Sequence, residues 1–121
     1  MLPAAHVPAP PCWLLLVVIS GLAGLGEIND ATEETCVDQH IATATFWIGA
    51  IQGAGAATPG DRWTWNGTTQ MPYLDWATGK PDDADGVENG MEQCGAIRPG
   101  GTWDDDGCNA ALPFFCRRPG P

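Results

Sequence analysis

The segment from Tyr73 to Cys116 limits the chain's fold more than any other, because it packs nine Asp and Glu residues, three Cys and two Trp into sequence with almost no helical or alternating periodicity. A hydrophobic core alone cannot hold such a stretch. Two devices can: disulfides in a secreted chain, and a hard cation bound by clustered carboxylate oxygens. The acid dominates the whole molecule, with Asp+Glu 15 against Lys+Arg 5 and a formal net charge of -10. That charge repels phosphate backbones and anionic membrane surfaces, so nucleic acid is excluded as a partner. Six Trp and 44% hydrophobic residues oppose disorder, and 121 residues allow at most one domain.

Residues 1–26 stand apart, with no Asp, Glu, Lys or Arg and an apolar run from Trp13 to Ile19 followed by small residues. The run is shorter than the roughly 20 apolar residues a membrane span needs. A secretory signal peptide accounts for it best, with cleavage after Ala23 or Gly26; an uncleaved hydrophobic leader is the other reading. Secretion predicts an extracellular mature chain with no membrane insertion, in a compartment where cysteines pair. Cys12 lies in the leader, and Cys36, Cys94, Cys108 and Cys116 remain, which allows three pairings. A zinc site is disfavoured, because there is no C-x-x-C and the one His beyond the leader is His40.

Asp30 with Glu33 forms a capping pair and Val37 with Ile41 an i, i+4 apolar pair, which predicts a helix over Asp30 to Ile41. Thr45 to Ile51 reads as a buried strand and Gln52 to Gly60 as a loop. Arg62 to Trp65 reads as a short strand ending at the Asn66-Gly67 turn. Asn66-Gly67-Thr68 is also a glycosylation sequon. After a Gly-, Asp- and Pro-rich loop from Gly79 to Gly90, two further strands are predicted, about Glu92 to Ile97 and Pro113 to Arg117, before a Pro119 to Pro121 tail. Trp47, Trp63, Trp65 and Trp103 read as core, and Arg62, Arg98 and Arg117-Arg118 as surface charge.

Trp47-Ile48-Gly49, Trp63 to Gly67, Trp76 four residues before Lys80-Pro81-Asp82, Glu92-Gln93-Cys94, Trp103-Asp104-Asp105, Cys108 and Phe114 to Cys116 together resemble the C-type lectin domain. The match runs from about Asp30 to Arg117, within a domain taken as residues 27–118. The resemblance implies an α+β fold of small antiparallel sheets with one or two helices, a long calcium-binding loop and disulfide staples. It implies a Cys94–Cys108 bridge and a partner for Cys116 in a first helix that this sequence lacks. Cys36 is the one replacement in the mature chain, and a reactive thiol at Cys36 or Cys116 is expected, with the last strand left as an open edge.

By position in the family pattern, the resemblance implies calcium ligation by Asp82, Glu92, Asp104 and Asp105, with Pro81 cis. It implies carbohydrate contact at Lys80, Asp82, Glu92 and Asp104. Lys80 departs from the pattern, because an ammonium has no lone pair to offer a cation. Four mutually repelling carboxylates exceed what one Lys neutralises, which favours a retained Ca2+, with Asp83, Asp85 or Glu88 as further donors. In this family an Asp in the third position of the triplet, here Asp82, goes with galactose-type selectivity. Two functions follow: a secreted calcium-dependent module for a glycan or glycoprotein, or the same fold binding a protein ligand with weak or no calcium. An enzyme is not expected, since no Ser lies beyond the leader and His40 stands alone.

Overall fold

The structure, a computed structural model, describes residues 14–15, 25–41, 43–114 and 116–117, without the side chains of 14, 15, 116 and 117. Its elements in order are β1 (Leu14–Leu15), α1 (Ala31–Ile41), β2 (Phe46–Gln52), β3 (Trp63–Trp65), β4 (Cys94–Ile97), β5 (Trp103–Asp106) and β6 (Cys116–Arg117). Four strands form an antiparallel sheet in the order β3-β2-β4-β5, and β1 pairs with β6 in a second. The α+β architecture is as expected, but β5 is an addition. An Asp-rich strand runs against β propensity, and it forms because Trp103 and Asp105 face inward while Asp104 and Asp106 face outward.

The helix begins as the capping pair dictates. Asp30 Oδ1 accepts the Glu33 N–H at 2.8 Å, and Glu33 Oε1 accepts the Asn29 N–H at 2.8 Å, so two orphan donors are satisfied reciprocally. Its inner face, Glu34, Val37 and Ile41, closes over Ile28, Ile48, Ala50, Trp65, Ile97 and Trp103. Trp103 is the hub, edge-on to Trp65 at 5.5 Å, Trp76 at 5.7 Å and Tyr73 at 6.0 Å. Trp47 differs from expectation: it lies outside this cluster, and its indole N–H reaches Ala110 O at 3.3 Å.

The N-terminal boundary falls inside packed structure. Gly26 O accepts the Gly49 N–H at 2.9 Å, and Ile28 is fully buried. Asn66 seals this segment: its Oδ1 accepts Leu25 N–H at 3.0 Å, and its Nδ2 donates to Leu25 O at 3.1 Å and Glu27 Oε2 at 3.3 Å. A Cβ at position 49 would meet both polar atoms of the Asn66 side chain at 2.9 Å and displace this seal. The nitrogen that a sequon would present for glycosylation is thus turned inward and engaged. The expected open edge at β6 is paired instead, Leu15 with Cys116 and Leu14 with Arg117. The cleavage position at Ala23 and the 119–121 tail lie outside the described residues.

Cys94 and Cys108 form a disulfide across 14 residues. Closing a loop of that length removes unfolded-state entropy equivalent to about 3 kcal/mol. Cys36 is also disulfide-bonded, to a partner outside the described side chains, which corrects the expectation of a reactive thiol at that position.

Candidate cation site

Beside β5, Trp103 N–H donates to Asp75 O at 2.9 Å and Trp103 O accepts Ala77 N–H at 2.8 Å, so the chain from Asp75 to Ala77 runs along the strand before turning outward. The turn contains a cis Lys80-Pro81 peptide, as expected for Pro81. Asp82 and Asp83 then return to β5. Asp105, 1% exposed, accepts Asp82 N–H at 3.1 Å on each carboxylate oxygen and Asp83 N–H at 2.6 Å on Oδ2.

Asp83 was a candidate extra donor to a cation, and it does different work. It is fully buried, its Oδ2 accepts Asn89 N–H and its Oδ1 accepts Glu92 N–H, both at 2.6 Å. Burial alone would raise its pKa, but the backbone donors of Asn89, Glu92, Met91 and Gly90 outweigh it and hold the carboxyl below its usual range. Asp83 is therefore the pin around which the loop folds. Its left-handed backbone, φ 50°, and that of Ala84, φ 78°, are the cost of the tight return.

The result is a convergence of acids from three separate places. Asp82, Glu92 and Asp105 each offer an oxygen, and these atoms all lie within 4.8 Å of one another. Burial, then Asp105, Asp104, Asp106 and Asp82, raise the Glu92 pKa, and its Oε1 is enclosed without a hydrogen-bond partner. Burial also raises Asp105, against the downward pull of the Asp83 and Asp82 N–H groups. These are carboxylates short of positive charge.

Asp104, the fourth expected ligand, is not in that group. Its place on β5 turns it outward, where Oδ2 accepts Arg98 Nη2 at 2.6 Å and Oδ1 lies 3.5 Å from Lys80 Nζ. Arg98 also reaches Asp106 Oδ2 at 3.4 Å, so it is no ordinary surface charge. Its role becomes legible only once β5 is paired with β4, which puts residue 98 diagonally across the hairpin from residue 104. Lys80 Nζ bonds Asp82 Oδ2 at 3.0 Å. That bond is the main reason the Lys80 pKa is raised and the Asp82 pKa lowered. Asp85 and Glu88 stay outside the group, bonding the nearby N–H groups of Val87 and Gly90.

A second acid pair lies at Trp103 itself. Glu34, 7% exposed, accepts the Trp103 indole N–H at 3.2 Å on Oε2, while its Oε1 is enclosed with no donor. Asp75 is the neighbouring acid whose charge bears on Glu34. Burial first, then the charge of Asp75, push the Glu34 pKa up to about 8.

The residues at the convergence suit a hard divalent ion. All donors are oxygens, they lie within 4.8 Å of one another, which one ion with Ca–O distances of about 2.4 Å can bridge, and Glu92 Oε1 is a buried acceptor with nothing to accept. Three carboxylates against one adjacent ammonium leave a net negative site.

Residues 21–118 match the lectin C-type domain model. C-type mannose receptor 2 of Mus musculus is 31% identical over 102 residues, which cover 79% of this chain and 6% of that protein, so the chain spans a small part of that relative. Among solved structures, the human scavenger receptor C-type lectin carbohydrate-recognition domain superposes with a TM-score of 0.62 at 26% identity, covering 78% of this chain and 70% of that one. The herring type II antifreeze protein superposes with a TM-score of 0.65 at 26% identity, covering 80% and 72%.

Proposed function

Because this chain belongs to the C-type lectin domain family, we propose that it is a secreted, non-catalytic recognition module that binds a glycan through a Ca2+ ion held by Asp82, Glu92 and Asp105. The observation that carries this reading is the meeting of three carboxylates from three distant parts of the chain within 4.8 Å. A cation bound there would supply open coordination positions for two neighbouring sugar hydroxyls. The chain's own residues do the rest: Asp105 is fixed by the Asp82 and Asp83 N–H groups, and Asp83 fixes the Glu92 backbone. Oxygens that face the ion can also accept hydrogen bonds from the same hydroxyls, so affinity and selectivity share one cluster. The Asp82 side chain in the third position of the Lys80-Pro81-Asp82 triplet supports selection of galactose-type sugars. The paired state of Cys94, Cys108 and Cys36 supports an oxidising destination.

Calorimetric titration with Ca2+ at neutral pH tests the first half, with heat expected from the native chain and none from Asp105→Asn. Retention on immobilised galactose with elution by a chelator tests the second. A native chain that gives no heat with Ca2+ would end the lectin reading while leaving the fold intact.

One observation favours a second reading. Lys80 Nζ sits between Asp82 and Asp104 at 3.0 and 3.5 Å, which supplies positive charge without a metal. The same fold would then serve a protein ligand, and the likeness to an antifreeze protein supports use of this architecture beyond sugars. Chelator-resistant binding to a protein ligand is its signature.

A further inference from the structure

Resting on the cation-binding reading above, we propose that Arg98 is a positioning residue that withholds Asp104 from the ion, so that the site works with three carboxylates instead of four. Asp104 and the converging acids are neighbours, since Asp104 Oδ1 lies 3.5 Å from the ammonium that bonds Asp82 Oδ2 at 3.0 Å. Its oxygens nonetheless stand apart from the three that converge, and a specific grip keeps them there: Arg98 Nη2 holds Asp104 Oδ2 at 2.6 Å, the shortest ion pair among the described residues.

The grip is anchored by the backbone. Arg98 N–H donates to Thr102 O at 2.9 Å and Gly101 N–H donates to Arg98 O at 2.9 Å, closing the turn from β4 to β5. Gly100 and Gly101 take φ of 97° and 98°, which a glycine pair adopts without steric cost. The guanidinium is thus delivered to the outer face of β5, where Asp104 and Asp106 are its two acceptors. The side chain of Arg98 is 38% exposed and that of Asp104 is 16% exposed, so the pair is accessible to competition rather than sealed. Asp104 Oδ1 makes no hydrogen bond and has only the Lys80 ammonium at 3.5 Å as an ionic partner, so it is the oxygen that a cation would compete for when Oδ2 is released.

The test is a double-mutant cycle read by Ca2+ calorimetry on the native chain, Arg98→Met, Asp104→Asn and the double variant. Arg98→Met is expected to tighten Ca2+ binding about ten-fold, the scale of one added charged ligand. Asp104→Asn alone is expected to leave affinity within about two-fold, and the gain from Arg98→Met is expected to vanish in the Asp104→Asn background. An equal gain in both backgrounds would mean that Arg98 acts only through its general field, which overturns the proposal, as would no gain at all. Should neither the native chain nor Arg98→Met take up Ca2+, the cation reading itself falls and this one with it. Uptake by Arg98→Met alone would overturn the claim that three carboxylates suffice, and with it the cation reading of the native chain. Arg98→Gln, checked for the native far-ultraviolet signature, replaces Arg98→Met if that variant does not fold.

Discussion

Two groups of acids flank Trp103, and they solve the same electrostatic problem differently. On the helix side, Glu34 accepts the Trp103 indole N–H, and burial with the charge of Asp75 pushes its pKa up to about 8, so the resolution is a proton carried by Glu34. On the loop side, Asp82 and Asp105 are fixed by backbone N–H groups and by Lys80, while Glu92 is left without a partner. Burial decides the difference. A carboxyl sealed in a core under an aromatic ring is most stable neutral. On the loop side only Asp105 is buried, while the partly exposed Asp82 and Glu92 keep the cluster within reach of ions from solvent.

The sharpest way to break the contrast is to remove the hinge of the loop side. Asp105→Ala takes away one ligand and strands the Asp82 and Asp83 N–H groups, so Ca2+ affinity is expected to fall more than about 100-fold and stability by about 1–3 kcal/mol. Calorimetry and chemical denaturation measure both. The helix side responds to pH instead. The folded chain keeps a Glu34 proton that the unfolded chain releases, so this group's contribution to stability falls as pH rises from its ordinary 4.5 to about 8 and is level beyond. The limiting slope is about 1.4 kcal/mol per pH unit. Glu34→Gln keeps a neutral side chain at every pH, and the difference between its melting curve and the native one should shrink to nothing toward acid.

Protons and a cation compete directly on the loop side. Glu92 and Asp105 have raised pKa values in the metal-free protein, so affinity for Ca2+ is full above those values and falls as pH drops through them. Ca2+ affinity is expected to be lower at about pH 5 than at neutral pH, measured by calorimetry at the two conditions. The smallest effect belongs to Lys80→Met. Its partly exposed pairs with Asp82 and Asp104 are weakened by solvent, so Ca2+ binding should tighten only a few-fold.

The sequence made the helix side legible at the level of local structure and the loop side at the level of chemistry. The capping pair of Asp30 and Glu33, the apolar Val37 and Ile41, and the strand at Phe46–Gln52 lie where propensity and periodicity put them. Asp82, Glu92 and Asp105 could be singled out through the resemblance, because the family pattern fixes their spacing. The roles of Asp83, Arg98 and Asp104 could not. All three depend on β5, and a Trp-Asp-Asp-Asp strand carries no strand propensity until its inward Trp103 and Asp105 have a core and a loop to face. The Glu34 and Asp75 pair was hidden for another reason: 41 residues separate its members, and only the packed Trp103 brings them together.

Thermal unfolding at neutral pH with and without Ca2+, on the native chain, Glu92→Gln and Glu34→Gln, asks whether the two sides are neutralised by different means. The melting temperature should rise with Ca2+ in the native chain and in Glu34→Gln, and stay unchanged in Glu92→Gln. A native chain that ignores Ca2+, or a Glu92→Gln variant that gains as much as the native one, would contradict the division of labour across Trp103.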